Sequence, residues 1–379
     1  MKKTALLLCV FAFAASAIFT GCQKTNEATL NLSAIFPLSG QVAFYGNETL
    51  DGIKLAVEEI NAAGGLLGKK VNLLIEDDEN NTSLAVSAFL RLATQNKVSV
   101  VMGSSTSGAT MAIAPLAQQQ GVVLISPSAT NISVTEVGNF VFRACFIDPF
   151  QGVVGADFAF DHLNARRAAV LYDAGADYNT GLALAFIERF QERGGTIVAR
   201  ESYQSNDVDF NAQAVRIRAS NADFVYLPNY YNDVALQALQ LRAQGVNAAL
   251  MGGDGWDSLI DEAGPEVIGG FWSAAFSSDT TDPRGAAFVQ AFEARFGRTA
   301  SQFAALGYDT MMIVAQAIRA AGSDNAVAIR DAMAQVDSAF VSGNIRFDEN
   351  RNPIKGAAIL EIQDRDGKLV NVYRATVNP

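Results

Sequence analysis

The chain has 379 residues, with 28 lysines and arginines against 39 aspartates and glutamates, and a formal net charge of −11. An acidic chain without a basic stripe is not expected to bind the phosphate backbone of a nucleic acid. The length exceeds the size at which one hydrophobic core usually stops growing, so two domains are expected.

The first 21 residues are typical of an export signal. Two lysines precede an apolar stretch over residues 5–19, which is too short and wrongly flanked to be a membrane-spanning helix. Thr and Gly directly before Cys22 resemble the lipobox of bacterial lipoproteins, although Phe19 stands where that motif usually has Leu. We therefore expect a lipid on Cys22 and a tether over residues 22–28. The alternative is simple secretion with a chance cysteine.

The mature chain is expected to be a soluble body on this lipid anchor. Removal of the signal takes away two lysines, which leaves 26 basic and 39 acidic residues and a net charge of −13. Cys9 leaves with the signal and Cys22 carries the anchor, so Cys145 stays alone and an intramolecular disulfide is excluded. No other apolar run reaches the roughly 18 residues that a spanning helix needs.

Short apolar runs alternate with longer amphipathic stretches along the rest of the chain. Strands are predicted over residues 30–36, 71–76, 98–102, 122–125, 168–172, 223–227 and 248–252. Helices are predicted between them, over residues 47–65, 83–95, 179–195 and 234–245. Strands that are apolar throughout and separated by helices indicate parallel sheets covered on both faces.

The alternation restarts with a helix near Phe150, which predicts an α/β protein of two doubly wound parallel-sheet lobes joined by a multi-crossing hinge. A C-terminal hairpin is predicted to turn at Asp366-Gly367. The predicted first lobe comprises residues 29–148 plus 279–345, and the second comprises residues 149–278 plus 346–379.

Two predicted strands of the first lobe end in small hydroxyl residues, in VVMGSSTSGAT (100–110) and LISPSATN (124–131). Ligands of open parallel sheets lie beyond the carboxyl ends of the strands. Hydroxyls and free backbone N–H groups at such a turn can bind a carboxylate without a cation. The competing interpretation is that these residues only cap helices.

Four segments resemble a known family in their order and spacing: PLSGQVAFYG (37–46), DGIKLAVEEINAAGGLLGKKVNLLIEDDE (51–79), SSTSGATMAIAPLAQQQGVVLISPSATN (104–131) and DFVYLPNYYNDVALQALQLRAQG (223–245). They are similar to the leucine/isoleucine/valine-binding proteins, the receptors of hydrophobic-amino-acid ABC importers. The resemblance implies the type I periplasmic-binding-protein fold, with two lobes that close on a zwitterionic amino acid. It implies no cofactor and no metal.

The resemblance also assigns the groups that hold the amino-acid head group. Ser107 resembles a serine that binds the ligand carboxylate, and Thr130 resembles a threonine that contacts both carboxylate and ammonium. Ser128 stands at a position whose backbone carbonyl accepts from the ammonium. From the second lobe, Tyr230 resembles a tyrosine that reaches the carboxylate. Asp254 occupies the place of an acidic residue that pairs with the ammonium and that is Glu in branched-chain receptors; the competing interpretation is a helix cap.

The side-chain pocket is less similar to the family pattern. Tyr45, Tyr178 and Phe303 fall at aromatic lining positions, with ordinary core or hinge packing as the alternative. Ser105 stands at an aliphatic position and makes the wall more polar. Trp256 is bulkier than its counterpart and is predicted to shrink the pocket or stack on the ligand.

Two positions that are bridged cysteines in similar receptors are Asn80 and Thr106 here. The acidic run EDDENN (76–81) lacks the spacing of a calcium loop, and a helix cap at Asn80, Asn81 or Thr82 is predicted instead.

Catalytic motifs are missing from the sequence. There is no GxSxG elbow, no HExxH and no Walker loop, and the single histidine, His162, lies in an amphipathic stretch. An enzyme is therefore not expected.

Two functions are consistent with these patterns. The first is an exported, monomeric lipoprotein, facing the periplasm or the cell exterior, that delivers a free L-amino acid to ABC permease subunits. The amino acid is expected to be branched-chain or another small hydrophobic one. The second is a non-transport sensor, or a binder of a related amide or small polar ligand, because fold alone does not give function.

Overall fold

The structure is a computed structural model that describes residues 28–378. The export signal and the lipidation site Cys22 lie outside the described residues. Fourteen strands are described there: β1 (Thr29–Phe36), β2 (Lys70–Asp77), β3 (Val100–Gly103), β4 (Val123–Ser126), β5 (Val141–Arg143), β6 (Arg167–Asp173), β7 (Thr196–Tyr203), β8 (Phe224–Tyr226), β9 (Ala249–Gly252), β10 (Phe271–Ala274), β11 (Asp337–Phe340), β12 (Gly343–Arg346), β13 (Ala357–Arg365) and β14 (Lys368–Val377).

The α-helices over the same residues separate most of these strands. They are α1 (Ala43–Ala62), α2 (Thr82–Leu90), α3 (Ser107–Gln120), α4 (Ser133–Glu136), α5 (Asp148–Asp161), α6 (Asp177–Glu192), α7 (Asn211–Ala219), α8 (Tyr231–Ala243), α9 (Leu259–Glu262), α10 (Pro283–Phe296), α11 (Gln302–Ala321) and α12 (Ala326–Met333). A π-helical turn, Arg91–Gln95, continues α2, and 3-10 turns occupy Asp254–Trp256 and Pro265–Val267. Within the described range, no helix is both long and apolar enough to cross a bilayer.

The first lobe is built on a five-stranded parallel sheet in the order β2-β1-β3-β4-β5. Strands β3 and β4 are buried along their whole length, as expected for parallel strands with helices on both faces. Successive residues of β3 belong to the hydrophobic cores on opposite faces of the sheet. Met102 packs with α1 and α11, while Val101 packs with α2 and α3. The sheet is therefore doubly wound, as the sequence predicted.

The second lobe is built on a seven-stranded sheet in the order β14-β13-β10-β9-β8-β6-β7. The strands from β6 to β10 pair in parallel, while β13 joins β10 antiparallel and pairs with β14. The predicted C-terminal hairpin is confirmed, since Arg365 pairs with Lys368 across Asp366-Gly367.

The chain passes between the two sheets three times, over residues 144–147, 275–282 and 347–356. After the second passage, α11 returns to the first lobe and packs against α1. The two helices approach so closely that a Cβ on Gly52 would lie 1.9 Å from Ala304 O, and one on Gly307 would lie 2.1 Å from Thr49 O. The multi-crossing hinge is thus confirmed, while the lobe boundaries assigned from the sequence stay a prediction.

Candidate ligand-binding site

A small cavity with an empty volume of about 230 Å³ lies between the two lobes, beside the hinge. Its lining combines the two hydroxyl-rich stretches of the first lobe with an acidic turn and aromatic residues. The lining residues are Tyr45, Ser105, Thr106, Ser107, Ser128, Tyr178, Tyr230, Asp254, Gly255 and Phe303. The structure therefore brings together eight of the ten predicted ligand-binding residues, all but Thr130 and Trp256.

The first hydroxyl-rich stretch reaches the cavity where β3 runs into α3. Ser107 is the first residue of α3 and its Oγ accepts a hydrogen bond from the Asn131 backbone N–H at 3.2 Å. Ser128, from the second stretch, donates its hydroxyl to Ser105 O at 2.8 Å. Ser105 Oγ is buried and has no hydrogen-bond partner among residues 28–378. That hydroxyl is available to a ligand.

Thr130 lies just outside the cavity lining. It is 1 % exposed, and its side chain lies beside the carboxyl group of Asp148, whose pKa it lowers. Arg143, at the end of β5, holds the loop that carries Thr130. The buried guanidinium donates to Ala129 O at 2.7 Å and to Ile132 O at 3.3 Å. These bonds fix the backbone that carries both Ser128 and Thr130.

Asp254 supplies a carboxylate to the opposite side of the cavity. It follows β9 and is 4 % exposed. Its Oδ1 accepts from Tyr178 Oη at 2.9 Å and from Gln151 Nε2 at 3.1 Å, and no side chain among residues 28–378 donates to Oδ2. Burial raises the pKa of Asp254 to about 6, while the hydrogen bonds from Gln151 and Tyr178 lower it. The group is thus mainly ionised at neutral pH and suits a ligand cation.

Aromatic rings close the remaining walls. The ring centroids of Tyr45 and Phe303 are 4.3 Å apart, and the rings of Tyr178 and Tyr230 stack at 5.1 Å. Burial raises the pKa of the hydroxyls of Tyr45, Tyr178 and Tyr230 well above the usual value, so all three are neutral hydrogen-bonding groups. Tyr178 does more than line the pocket, because its hydroxyl binds both Asp254 and the Gly255 backbone N–H.

Direct hydrogen bonds join the lobes around this cavity. Tyr45 on α1 donates its hydroxyl to Gly255 O at 2.6 Å. Asn131 Nδ2 donates to Asp177 O at 2.9 Å, and Gln302 Nε2 on α11 donates to Asp254 O at 2.9 Å. The structure therefore represents a closed arrangement of the two lobes.

The structure contradicts the predicted position of Trp256. Its side chain is fully buried in the core of the second lobe and does not line the cavity. The indole Nε1 donates to Leu227 O at 2.9 Å, and the ring lies so close to Gly252 that a Cβ there would meet it at 1.9 Å. The large side chain therefore fills core space beside β9 and does not narrow the cavity.

Two buried polar residues of α5 were missed by the sequence analysis. Gln151 bonds Asp254, as described above. Asp148 is 1 % exposed. Burial raises its pKa to about 8, while the neighbouring Thr130 hydroxyl and Arg143 lower it. The available signal was a pair of polar residues in the otherwise apolar start of a helix, DPFQGVVG.

Fold and site together define a two-lobed receptor for a small ligand. The match of residues 29–368 to the periplasmic binding protein model shows that the chain belongs to that family. A Leu/Ile/Val-binding protein of Rhizobium johnstonii is 32% identical over 333 residues, which cover 87% of this chain and 88% of that protein.

Solved structures show the same similarity. A leucine binding protein from Thermotoga maritima has 32% sequence identity and a TM-score of 0.87, covering 92% of this chain and 99% of that one. A branched-chain amino acid transporter substrate binding protein from Streptococcus pneumoniae, in complex with isoleucine, has 34% identity and a TM-score of 0.86. That match covers 93% of this chain and 100% of the other.

Proposed function

We propose that this chain is an extracytoplasmic receptor that captures a free L-amino acid, branched-chain or another small hydrophobic one, and delivers it to the permease of an ABC importer. The observation that carries the proposal is the polarity of the cavity. The carboxylate of Asp254 lies on one side and the hydroxyl-rich start of α3, at Ser107, lies on the other. This arrangement is complementary to the two opposite charges of an amino-acid head group.

The proposed binding sequence starts on the first lobe. Ser107 and Thr130 bind the carboxylate end first, helped by the N-terminus of α3. Closure then brings Tyr230 and Asp254 onto the ligand. The Tyr45–Gly255 and Asn131–Asp177 hydrogen bonds form only when the lobes meet. Ligand contacts and these bonds together favour the closed form.

The proposed function also assigns roles to the two lobes, the export signal and the lipid anchor. Residues 29–148 plus 279–345 form the first closing lobe, and residues 149–278 plus 346–379 form the second. Residues 1–21 direct export, and a lipid on Cys22 anchors a monomeric receptor to the membrane. Membership of the periplasmic binding protein family supports export. The proposed anchor rests on the Thr-Gly pair directly before Cys22.

One observation favours the second candidate, a sensor or receptor for an amide or small polar ligand. Ser105 Oγ lines the cavity without a partner, and an aliphatic ligand side chain would leave it unsatisfied. A ligand with a side-chain hydroxyl or amide would bond it.

Lobe closure offers a direct test of the proposed mechanism. Small-angle X-ray scattering of protein refolded to remove carried-over ligand is expected to show a smaller radius of gyration after L-leucine, L-isoleucine or L-valine is added. Asp254→Ala serves as the control that should not close. An unchanged radius with all three amino acids would count against the branched-chain proposal.

A further inference from the structure

Gln151 contacts Asp254 through both ends of its amide. Its Nε2 donates to Asp254 Oδ1 at 3.1 Å, and its Oε1 accepts from the Asp254 backbone N–H at 2.6 Å. The same Oε1 also accepts from Ser273 Oγ at 2.8 Å. Because two donors occupy Oε1, the amide cannot rotate without losing them, and Nε2 stays directed at the carboxylate.

This arrangement is contained within the second lobe. Gln151 lies on α5, Asp254 follows β9 and Ser273 lies on β10. None of the three hydrogen bonds crosses the cleft, so they do not depend on lobe closure. A carboxylate that is oriented before the ligand arrives loses less conformational freedom on binding.

We propose that Gln151 is a positioning residue for recognition of the ligand ammonium, which holds the Asp254 carboxylate toward the cavity and keeps it ionised. The assumption that the ligand carries an ammonium group rests on the proposed function. Gln151 does not line the cavity, and its action goes through Asp254.

The surroundings of Asp254 explain why it needs such support. Burial is the largest influence on its pKa and favours the neutral acid, while Gln151 and Tyr178 are the side chains that oppose it. The titratable groups that interact with it electrostatically are Tyr45 on α1, Cys145 in the first crossing, Asp148 on α5, Tyr178 on α6, Tyr226 on β8 and Tyr230 before α8.

None of these neighbours supplies a positive charge. Burial raises the pKa of Cys145 to about 12 and keeps it a neutral thiol. The cation Arg143 acts on both Asp148 and Cys145, and the cation Lys355 acts on Cys145. In such a site the amide N–H of Gln151 is a main source of stabilisation for the carboxylate.

The ligand-free protein allows a test that is independent of ligand identity. The ¹³Cγ resonance of Asp254, assigned through Asp254→Asn, is followed against pH in the wild type and in Gln151→Met. We expect the midpoint to rise by about one pH unit in the variant, because a hydrogen bond to the charged form is lost. Gln237→Met is the matched control: Gln237 is equally buried in the same lobe but is bonded by Asn229.

An unchanged midpoint in Gln151→Met would overturn the proposal. Should that variant not fold, Gln151→Glu keeps the length of the side chain and places a carboxyl group against Asp254. It should raise the same midpoint, because a like charge disfavours the ionised form. The absence of that rise would overturn the proposal equally.

The second arm measures affinity by calorimetry with L-leucine and with 2-hydroxy-4-methylpentanoate, which lacks the ammonium. At pH 6.5, Gln151→Met is expected to bind leucine about threefold more weakly and the hydroxy acid as the wild type does. The loss should shrink at pH 8, where Asp254 is ionised in both proteins. Equal losses for both ligands would show a merely structural role. A wild type that binds neither compound would defeat the proposed function, while the NMR titration would still decide the role of Gln151.

Discussion

Thr106 Oγ1 donates a 2.7 Å hydrogen bond to Asn80 Oδ1. These are the two positions at which the family resemblance implies bridged cysteines. The contact joins the loop after β2 to the residue that precedes α3, directly beside the cavity residues Ser105 and Ser107. A hydrogen bond thus connects these two loops in this chain.

The combination of Asn80→Cys and Thr106→Cys is therefore expected to form a disulfide and to stabilise the protein by about 2–3 kcal/mol under oxidising conditions. Asn80 has a φ of +56°, which Asn tolerates better than Cys, so the single Asn80→Cys variant should be slightly destabilised. Thermal unfolding with and without a reductant measures the effect. Two thiols that stay reactive in the oxidised double variant would contradict the expected geometry.

Asp254→Ala is expected to weaken amino-acid binding by about 3 kcal/mol or more, because a buried ammonium would lose its charge partner. Asp254→Asn keeps the shape and separates the loss of charge from the loss of packing. Isothermal titration with the preferred amino acid gives both values. Unchanged affinity in the Ala variant would exclude Asp254 from ammonium recognition.

Ser105→Leu is expected to shift selectivity toward larger aliphatic ligands. The change removes a buried hydroxyl that has no partner and restores an apolar wall, so an aliphatic side chain should gain about 1 kcal/mol relative to a polar one. Competition between L-leucine and L-threonine in both proteins measures the ranking. An identical ranking would show that Ser105 does not contact the ligand side chain.

Asp148→Asn is expected to flatten the pH dependence of stability and to stabilise the protein at pH 8 by about 1–3 kcal/mol. Burial raises the pKa of Asp148 from its ordinary value near 3.8 to about 8. A raised carboxyl pKa contributes stability that is fully present below pH 3.8 and is lost as the pH rises through 8. Chemical denaturation between pH 4 and 8 follows this loss.

Asp282 provides a control of opposite sign for that experiment. A hydrogen bond from Arg284 lowers the pKa of Asp282 to about 2, so its contribution is present above pH 3.8 and is lost on acidification. Asp282→Asn should therefore reduce stability at pH 8 relative to pH 3. Destabilisation of Asp148→Asn at pH 8 would show that the buried carboxylate has a partner that offsets its desolvation.

The fold was largely predictable because most of its strands are buried on both faces and hence apolar throughout. Five strands were not predicted, for different physical reasons. β11 and β12 have four residues each, pair only with each other and are partly exposed. β7 is an edge strand, and its exposed face carries polar residues in TIVARESY. β5 has only three residues and β10 only four, which is too few to recognise a repeating pattern of apolar residues. The helix cap after EDDENN is confirmed at Asn81, which accepts from Ser83 and Leu84 N–H groups.

The candidate site was predictable where its residues follow strands or match family positions. Gln151 was not, because its function depends on Asp254, which is distant in sequence and adjacent only in the folded lobe. Trp256 was placed wrongly because spacing along a turn does not reveal which way a side chain points. Its indole enters the core, where Leu227 O satisfies its N–H.

Titration of the refolded, ligand-free protein against the twenty L-amino acids by calorimetry tests the central claim most directly. We expect tight one-to-one binding of a branched-chain or other small hydrophobic amino acid, with the affinity lost in Asp254→Ala. Binding of only a polar or aromatic amino acid would keep the head-group site and contradict the hydrophobic assignment. No binding across the whole panel would contradict the amino-acid receptor itself.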